Sequence, residues 1–306
     1  MEHSYGSASI IAHTIYQKYE LKVPAYRQEN DWQKMGLPVK RQDIVNWQAK
    51  STEYYLKPVY QLFKEKLLEQ PITLYHHNPH SSGRVALDFL GDYAGFLHCD
   101  MWQAYQQLPN ATLVGCWAHV RRKFFEAVPT KVSDKSVSKQ GVRYCNKMFT
   151  LEKDWLGLSN KERCRLRQKE LKPLMEEFFA WCRKQKATVL PNYKLGKAIA
   201  YSLNHEETFK HVLLDGRLAL SNNLAERAIK TLVMGRKNWL FSQSFAGAQS
   251  SAVILSMIET PKRNGLDPEK YLEYLLSNLP NESILTDREK LSAYLPWAKA
   301  VQANCR

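Results

Sequence analysis

Apolar positions recur at helical spacing through the first seventy residues. Ile11, Ile15 and Tyr19, at i, i+4 and i+8, predict a helix from Ser9 to Tyr19 with one buried face. The stretch YRQENDWQKMGLPVKRQDIVNWQAK reads as two helices broken at Gly36, Leu37 and Pro38, with Ile44 and Trp47 as the apolar face of the second. Its outline fits a helix-turn-helix and equally an ordinary αα-hairpin. A long amphipathic helix is expected from Thr52 to Gln70. The pattern then changes: ITLYHHNPHSSGR is rich in strand formers and predicts a strand ending at Asn78 and Pro79. A short helix around Val85 to Leu90 leads to a strand from Gly95 to Cys99 that ends at Asp100. The next strand, TLVGCW, feeds directly into the helix WAHVRRKFFEAV, where Cys116, Val120, Phe124 and Val128 form a stripe at i, i+4, i+8 and i+12.

From Pro129 to about Asp215 the texture is highly charged helix, with Leu171, Leu174, Phe178 and Trp181 as its apolar stripe and no strand pattern. A further short helix spans Tyr193 to Leu203, and Gly216 and Arg217 turn the chain back. In SNNLAERAIKTLVMGRKNWLF, Asn223 as N-cap puts Glu226 at N3, a capping-box arrangement. An apolar helix from Ala246 to Ile258 follows, then one announced by Asp267 as N-cap and Pro268 at N1. The chain therefore divides into a helical N-terminal region (1–70), a core (71–128), a helical insertion (129–215), a second part of the core (216–265) and a helical tail (266–306).

Charge adds a partner to this picture. The 306 residues carry 44 Lys and Arg against 30 Asp and Glu, a formal +14 that favours a polyanion, with nucleic acid first. The second helix of the N-terminal pair offers Lys40, Arg41, Gln42 and Asn46 to phosphates and base edges. Further candidates for phosphate contact are Arg121, Arg122 and Lys123 after the second strand, and Arg227, Arg236 and Lys237 on the Glu226 helix. Six cysteines without a CxxC pair argue for reduced thiols, and the apolar run from Ala252 to Ile258 is too short to span a bilayer, so a soluble, cytoplasmic protein with no membrane partner is expected. His76 and His77 invite a metal reading, but on a strand they would point to opposite faces and are not expected to share an ion. Cys116 and His119 could be half a zinc site, but no second half stands at ligand spacing. Asp100, at a strand end, stands where α/β proteins keep their chemistry. Glu226 is explained by helix capping, by an ion pair with Lys230, or by sharing a metal with Asp100.

The motifs LHCDMWQAY, GCWAHVRRKF, SNNLAERAIK and MGRKNWLF, in that order and with the helical insertion before SNNLAERAIK, are similar to the catalytic subunit of bacterial insertion-sequence transposases of the group numbered sixty-six. SIIAHTIYQKY, VPAYRQE and GLDPEKYLEYLLSNLP extend the resemblance from about Ser7 to Leu279. It implies an α/β fold, mostly α by content, with an RNase-H-like core and an all-helical insertion. It also implies an Asp, Asp, Glu triad that binds two Mg2+ or Mn2+ ions for DNA strand cleavage and transfer. Asp100 matches the second Asp and Glu226 the final Glu, both as metal ligands, while Cys116 and His119 match a Cys-x-x-His signature. The implied partners are DNA with terminal inverted repeats, accessory transposition proteins and further copies of the chain.

One segment of the family pattern has no counterpart. The strand with the first Asp, and a second strand after it, should lie between the helix ending at Gln70 and the strand beginning at Ile72, yet these abut and no Asp occurs between Thr52 and Leu87. Asp88 and Asp92 fall where the family has no ligand. The core sheet is therefore expected to lack its first two strands, and catalysis to be impaired. The rival readings are a non-catalytic DNA-binding remnant that interferes with intact transposase, and a remnant with no stable fold.

Overall fold

The structure, a computed structural model, describes residues 6–306 except 68, 80–83, 132, 134, 135, 240, 241, 243, 282–284 and 286. The chain forms two compact units, Met1–Pro79 with Ala225–Arg306, and His80–Leu224. The described residues are mostly helical with one two-stranded parallel sheet, so the chain is α/β and mostly α by content.

The first unit opens with α1 (Ala8–Tyr19), capped by the Ser7 hydroxyl, which accepts the Ile10 N–H. Ile11, Ile15 and Tyr19 are buried, as their spacing predicts. α2 (Ala25–Lys34) and α3 (Arg41–Ser51) follow, separated where Gly36 adopts a φ of 79°, a conformation that glycine reaches at little cost. The Glu29 carboxylate of α2 accepts both the Arg41 backbone N–H and its Nε, at 3.1 and 2.7 Å, and these bonds hold its pKa below the usual carboxylate value.

The helix expected from Thr52 to Gln70 is instead continuous with α3. A π-helical turn (Thr52–Leu56) leads into α4 (Lys57–Glu65), with Pro58 at its start. Proline donates no N–H and its ring crowds the carbonyl four residues back, so the helix widens by one residue before it. The second unit repeats the device: the π-helical turn Arg167–Leu171 stands just before Pro173.

The expected strand at Ile72 does not form, and residues 71–78 have no regular secondary structure. Their backbone groups find hydroxyls instead. Thr73 N–H donates to Thr260 Oγ1 at 3.2 Å, the same hydroxyl donates to Thr73 O at 3.0 Å, and Tyr75 N–H donates to Ser256 Oγ at 2.9 Å. An extended segment satisfied by helix side chains needs no strand beside it. Thr260→Val keeps the shape and removes both bonds to Thr73. It should lower the urea-unfolding free energy of the protein by about 1–3 kcal/mol, whereas an unchanged melt would show that the segment is not anchored there.

The second unit begins with α5 (Arg84–Leu90) and β1 (Phe96–Cys99), then β2 (Thr112–Gly115) and α6 (Trp117–Glu126). β1 and β2 are parallel, with Phe96 opposite Thr112 and Cys99 opposite Gly115. Residues 129–215, expected to be a helical insertion, supply α7 (Val137–Asp154), α8 (Asn160–Leu166), α9 (Lys172–Lys186), α10 (Lys194–Asn204) and α11 (Glu206–Lys210). The core centres on Trp117, whose ring meets Phe178, Phe179 and Phe209 at 5.3–5.8 Å between centroids. Of the expected stripe, Leu171 and Phe178 are buried, but Leu174 and Trp181 only pack at its margin, and Met175, Phe179 and Cys182 are buried instead. Packing between several helices takes a wider face than one narrow stripe.

The chain then returns to the first unit through α12 (Asn223–Trp239), α13 (Phe245–Arg263), α14 (Pro268–Asn278), α15 (Arg288–Ser292) and α16 (Lys299–Asn304). Asp267 caps α14 as its sequence predicts, accepting the Glu269 and Lys270 N–H groups. α14 packs on α1, and Tyr75 Oη donates to Ala228 O in α12 at 2.5 Å. Among the described residues no helix is long and apolar enough to cross a membrane.

Candidate functional site

The carboxyl ends of β1 and β2 bring together most of the chemistry in the second unit. Asp100 follows β1 directly and is exposed, with its Oδ1 accepting the Trp102 N–H at 3.1 Å. Met101 between them has a φ of 68°, in the left-handed region that side chains with a Cβ avoid, and its own side chain is buried. The turn therefore buries Met101 and leaves its two neighbours outside. Tyr201, from α10, donates its hydroxyl to the Asp100 carbonyl at 3.4 Å.

At the end of β2, Cys116 donates its backbone N–H to Cys99 O at 3.2 Å and is fully buried. His119 lies one helical turn on, half-buried, with a ring nitrogen within 4.8 Å of Cys116 Sγ. The thiol also accepts the Asn222 N–H at 3.4 Å, and Leu220 O accepts the Trp117 N–H at 2.8 Å. The returning chain is thus fixed along the end of β2 just before α12 begins. Gly115 is required there, since a Cβ would stand 2.5 Å from the Phe209 ring.

α12 starts at Asn223 itself, the residue expected as its cap, so Glu226 is its fourth residue. Glu226 is half-buried and belongs by packing to the other unit, as do Arg227, Arg236 and Lys237, which are exposed.

Burial pushes the Cys99 thiol pKa up, partly offset by the Met101 backbone hydrogen bond, and lowers that of His98. The Cys145 thiol is pushed up to about 12, again by burial, and none of the six cysteines is in a disulfide. Five of them are buried, as packed structural thiols are, and Cys164 is half-buried.

The cationic candidates differ in how far they are already engaged. Arg41 is exposed but tied to Glu29, while Lys40, Gln42 and Asn46 are exposed, the last two bonded to each other at 3.0 Å. Arg121 donates to Asn146 at 2.6 Å, Arg122 is exposed, and the Lys123 ammonium sits 4.5 Å from the centre of the Tyr201 ring. His76 is exposed and lies outside any helix or strand, with its pKa lowered chiefly by desolvation, and the His77 ring packs against Phe245 at 5.3 Å.

Sequence reasoning passed over three residues. Trp102 and Tyr201 attach to Asp100 as described, and only the nearness of Trp102 along the chain could have signalled it. Arg167 sits among seemingly solvated charges yet is fully buried.

Comparison with known proteins places the chain. The family model described as Transposase IS66 family matches residues 3–73 and 66–250, and that of the IS66 C-terminal element matches residues 256–297. Three uncharacterized proteins of Sinorhizobium fredii are similar to it. y4hP is 30% identical over 244 residues, 74% of this chain and 44% of that protein. y4qI is 28% identical over 237 residues, covering 74% and 43%. y4jD is 25% identical over 346 residues, covering 97% and 67%. The chain spans less than half the length of the first two. No solved structure matches it. With nearly the whole chain covered by the two family models, including the strand end, the thiol and imidazole, and the acid of α12, the chain belongs to the IS66 transposase family.

Proposed function

We propose that this chain holds DNA at insertion-sequence ends through its basic surface, and that the metal-dependent strand cleavage and transfer implied by its family are impaired in it. The observation that carries this reading is the lack of any acid at the first position of the triad: no Asp stands between Thr52 and Leu87. The family match supports it by falling in two pieces that meet at residues 66–73. So does the alignment with y4jD, which runs over 346 positions, more than the 306 residues present here. Among the described residues the sheet has two strands, which we read as what remains of an RNase-H-like core.

The donors fit a pair of Mg2+ ions poorly. Asp100 offers one carboxylate, and one of its oxygens already accepts the Trp102 N–H. Cys116 and His119 offer sulfur and nitrogen, which suit softer metals, whereas Mg2+ demands oxygen ligands in near-octahedral array. Asp100 and Glu226, the acids we assign to metal binding, bring two negative charges against the four of two such ions. A chain of this kind grips DNA without cutting it and competes with intact transposase for the same ends. That second reading is favoured by the charge of residues 80–224, which hold 23 of the 44 Lys and Arg but 14 of the 30 Asp and Glu.

The test is nicking of supercoiled DNA carrying the element's ends, with Mg2+ or Mn2+, by the wild type beside Asp100→Ala and Glu226→Ala. The expected result is the same background in all three. Robust nicking that disappears in both variants would overturn the reading, and Asp88, Asp92 and His77 would then be the first surrogate ligands to replace.

A further inference from the structure

The turn after β1 is tied to three side chains that metal binding does not use. Trp102 is 41% exposed, its backbone is fixed by the Asp100 carboxylate, and its ring makes a T-shaped contact with Tyr105 at 5.6 Å. Tyr201 donates its hydroxyl to the Asp100 carbonyl at 3.4 Å. Lys123 completes the chain of contacts, with its ammonium over the Tyr201 ring. An indole held outward by a left-handed residue is a flat apolar surface kept in water at a cost. The cation linked to the same turn through Tyr201 answers the repulsion that Asp100 alone would exert on a phosphate.

Resting on the reading that the chain holds DNA, we propose that Trp102, Tyr201 and Lys123 form a seat for one unpaired nucleotide beside Asp100. The base stacks on Trp102 and Lys123 meets the adjoining phosphate. Aromatic stacking of this kind tolerates any base, and it requires a base free of its own helix, so the ligand is single-stranded or frayed DNA. Tyr201 acts as a positioning residue that holds the ammonium and the turn in one frame. Through it the helical insertion serves the site.

The experiment measures binding of the full chain to a labelled single-stranded oligonucleotide and to the corresponding blunt duplex across a salt series. Trp102→Ala should weaken single-strand binding about tenfold, leave the salt slope and duplex binding unchanged, and be largely rescued by Trp102→Phe. Lys123→Ala should instead reduce the single-strand slope of log K against log salt by about 0.7, the contribution of one phosphate. Tyr201→Phe, which loses only the bond to Asp100, should weaken single-strand binding without altering the slope. Thermal melts matching the wild type exclude misfolding. Single-strand binding untouched by Trp102→Ala, or equal losses on single strand and duplex, would overturn the seat while leaving the DNA reading intact. A wild type that binds neither form would overturn both.

Discussion

Replacing Arg167 by alanine is expected to destabilise residues 80–224 by about 3–5 kcal/mol, a large share of the roughly 5–15 kcal/mol that holds an ordinary domain folded. The side chain is fully buried, and each of its N–H donors is used. Nε and Nη2 reach the two carboxylate oxygens of Glu152 at 2.6 and 2.8 Å, Nη1 donates to Val212 O and Asp215 O at 2.9 and 2.8 Å, and Nη2 also donates to Leu218 O at 2.6 Å. Alanine would leave a largely buried carboxylate and three carbonyls without this partner, each carrying its own desolvation cost. Lysine would not rescue the site, because a three-donor ammonium cannot fill five directions fixed by a planar fork. Urea unfolding of Arg167→Ala and Arg167→Lys checks this, with Arg167→Met/Glu152→Met as the control that removes both charges and should recover part of the loss. A near-normal melt of Arg167→Ala would mean that water replaces the guanidinium. Because residues 212–218 lead directly into the stretch that holds Cys116, loosening them should also expose that thiol to alkylation.

Arg167 shows where a sequence stops being legible. In RCRLRQKEL it looks like one more solvated charge, since nothing local marks which arginine turns inward. The carbonyls that need it lie some 45 residues or more away. The same limit explains residues 71–78: the β-formers Ile72, Thr73 and Tyr75 predict a strand, but whether a neighbour exists is decided elsewhere. Here Ser256 and Thr260 of α13 take that role.

What was legible rests on period and on local chemistry. Ile11, Ile15 and Tyr19 face the core because 3.6-residue geometry leaves them no other option. Asp267 caps α14 because its side chain reaches only the next few N–H groups. Asp100 stands at a strand end in both readings because the apolar run before it and the turn residues after it are contiguous. The stripe on α9 was drawn too narrow, because a helix packed on several sides buries a broader face, here taking in Met175, Phe179 and Cys182. Neither Trp102 nor Tyr201 carries a pattern, since each matters only through a bond to the backbone of Asp100.

Affinity for DNA should fall steeply with salt, by about 10³–10⁵ between 50 and 200 mM if six to ten phosphates are neutralised, since each contributes about −0.9 to the slope of log K against log salt. The basic excess of the whole chain motivates this, along with Arg121, Arg122 and Lys123 on α6 and Arg227, Arg236 and Lys237 on α12. Charge reversal at Arg122, which is exposed, should lower affinity for every sequence alike and flatten the slope. The helix-turn-helix reading makes a different demand, namely loss on particular sites only. Arg41→Ala answers it badly, because Arg41 also ties α3 to Glu29 of α2 and its removal would loosen the pair. Asn46 is the sharper probe: it is exposed on α3, and Gln42, which donates to its Oδ1, lies on the same helix. If Asn46→Ala discriminates between element ends and unrelated DNA, α3 reads bases. If it weakens both equally or neither, α2 and α3 are an αα-hairpin and sequence is read elsewhere. A titration that is flat in salt would remove the electrostatic premise on which the proposed grip on DNA depends.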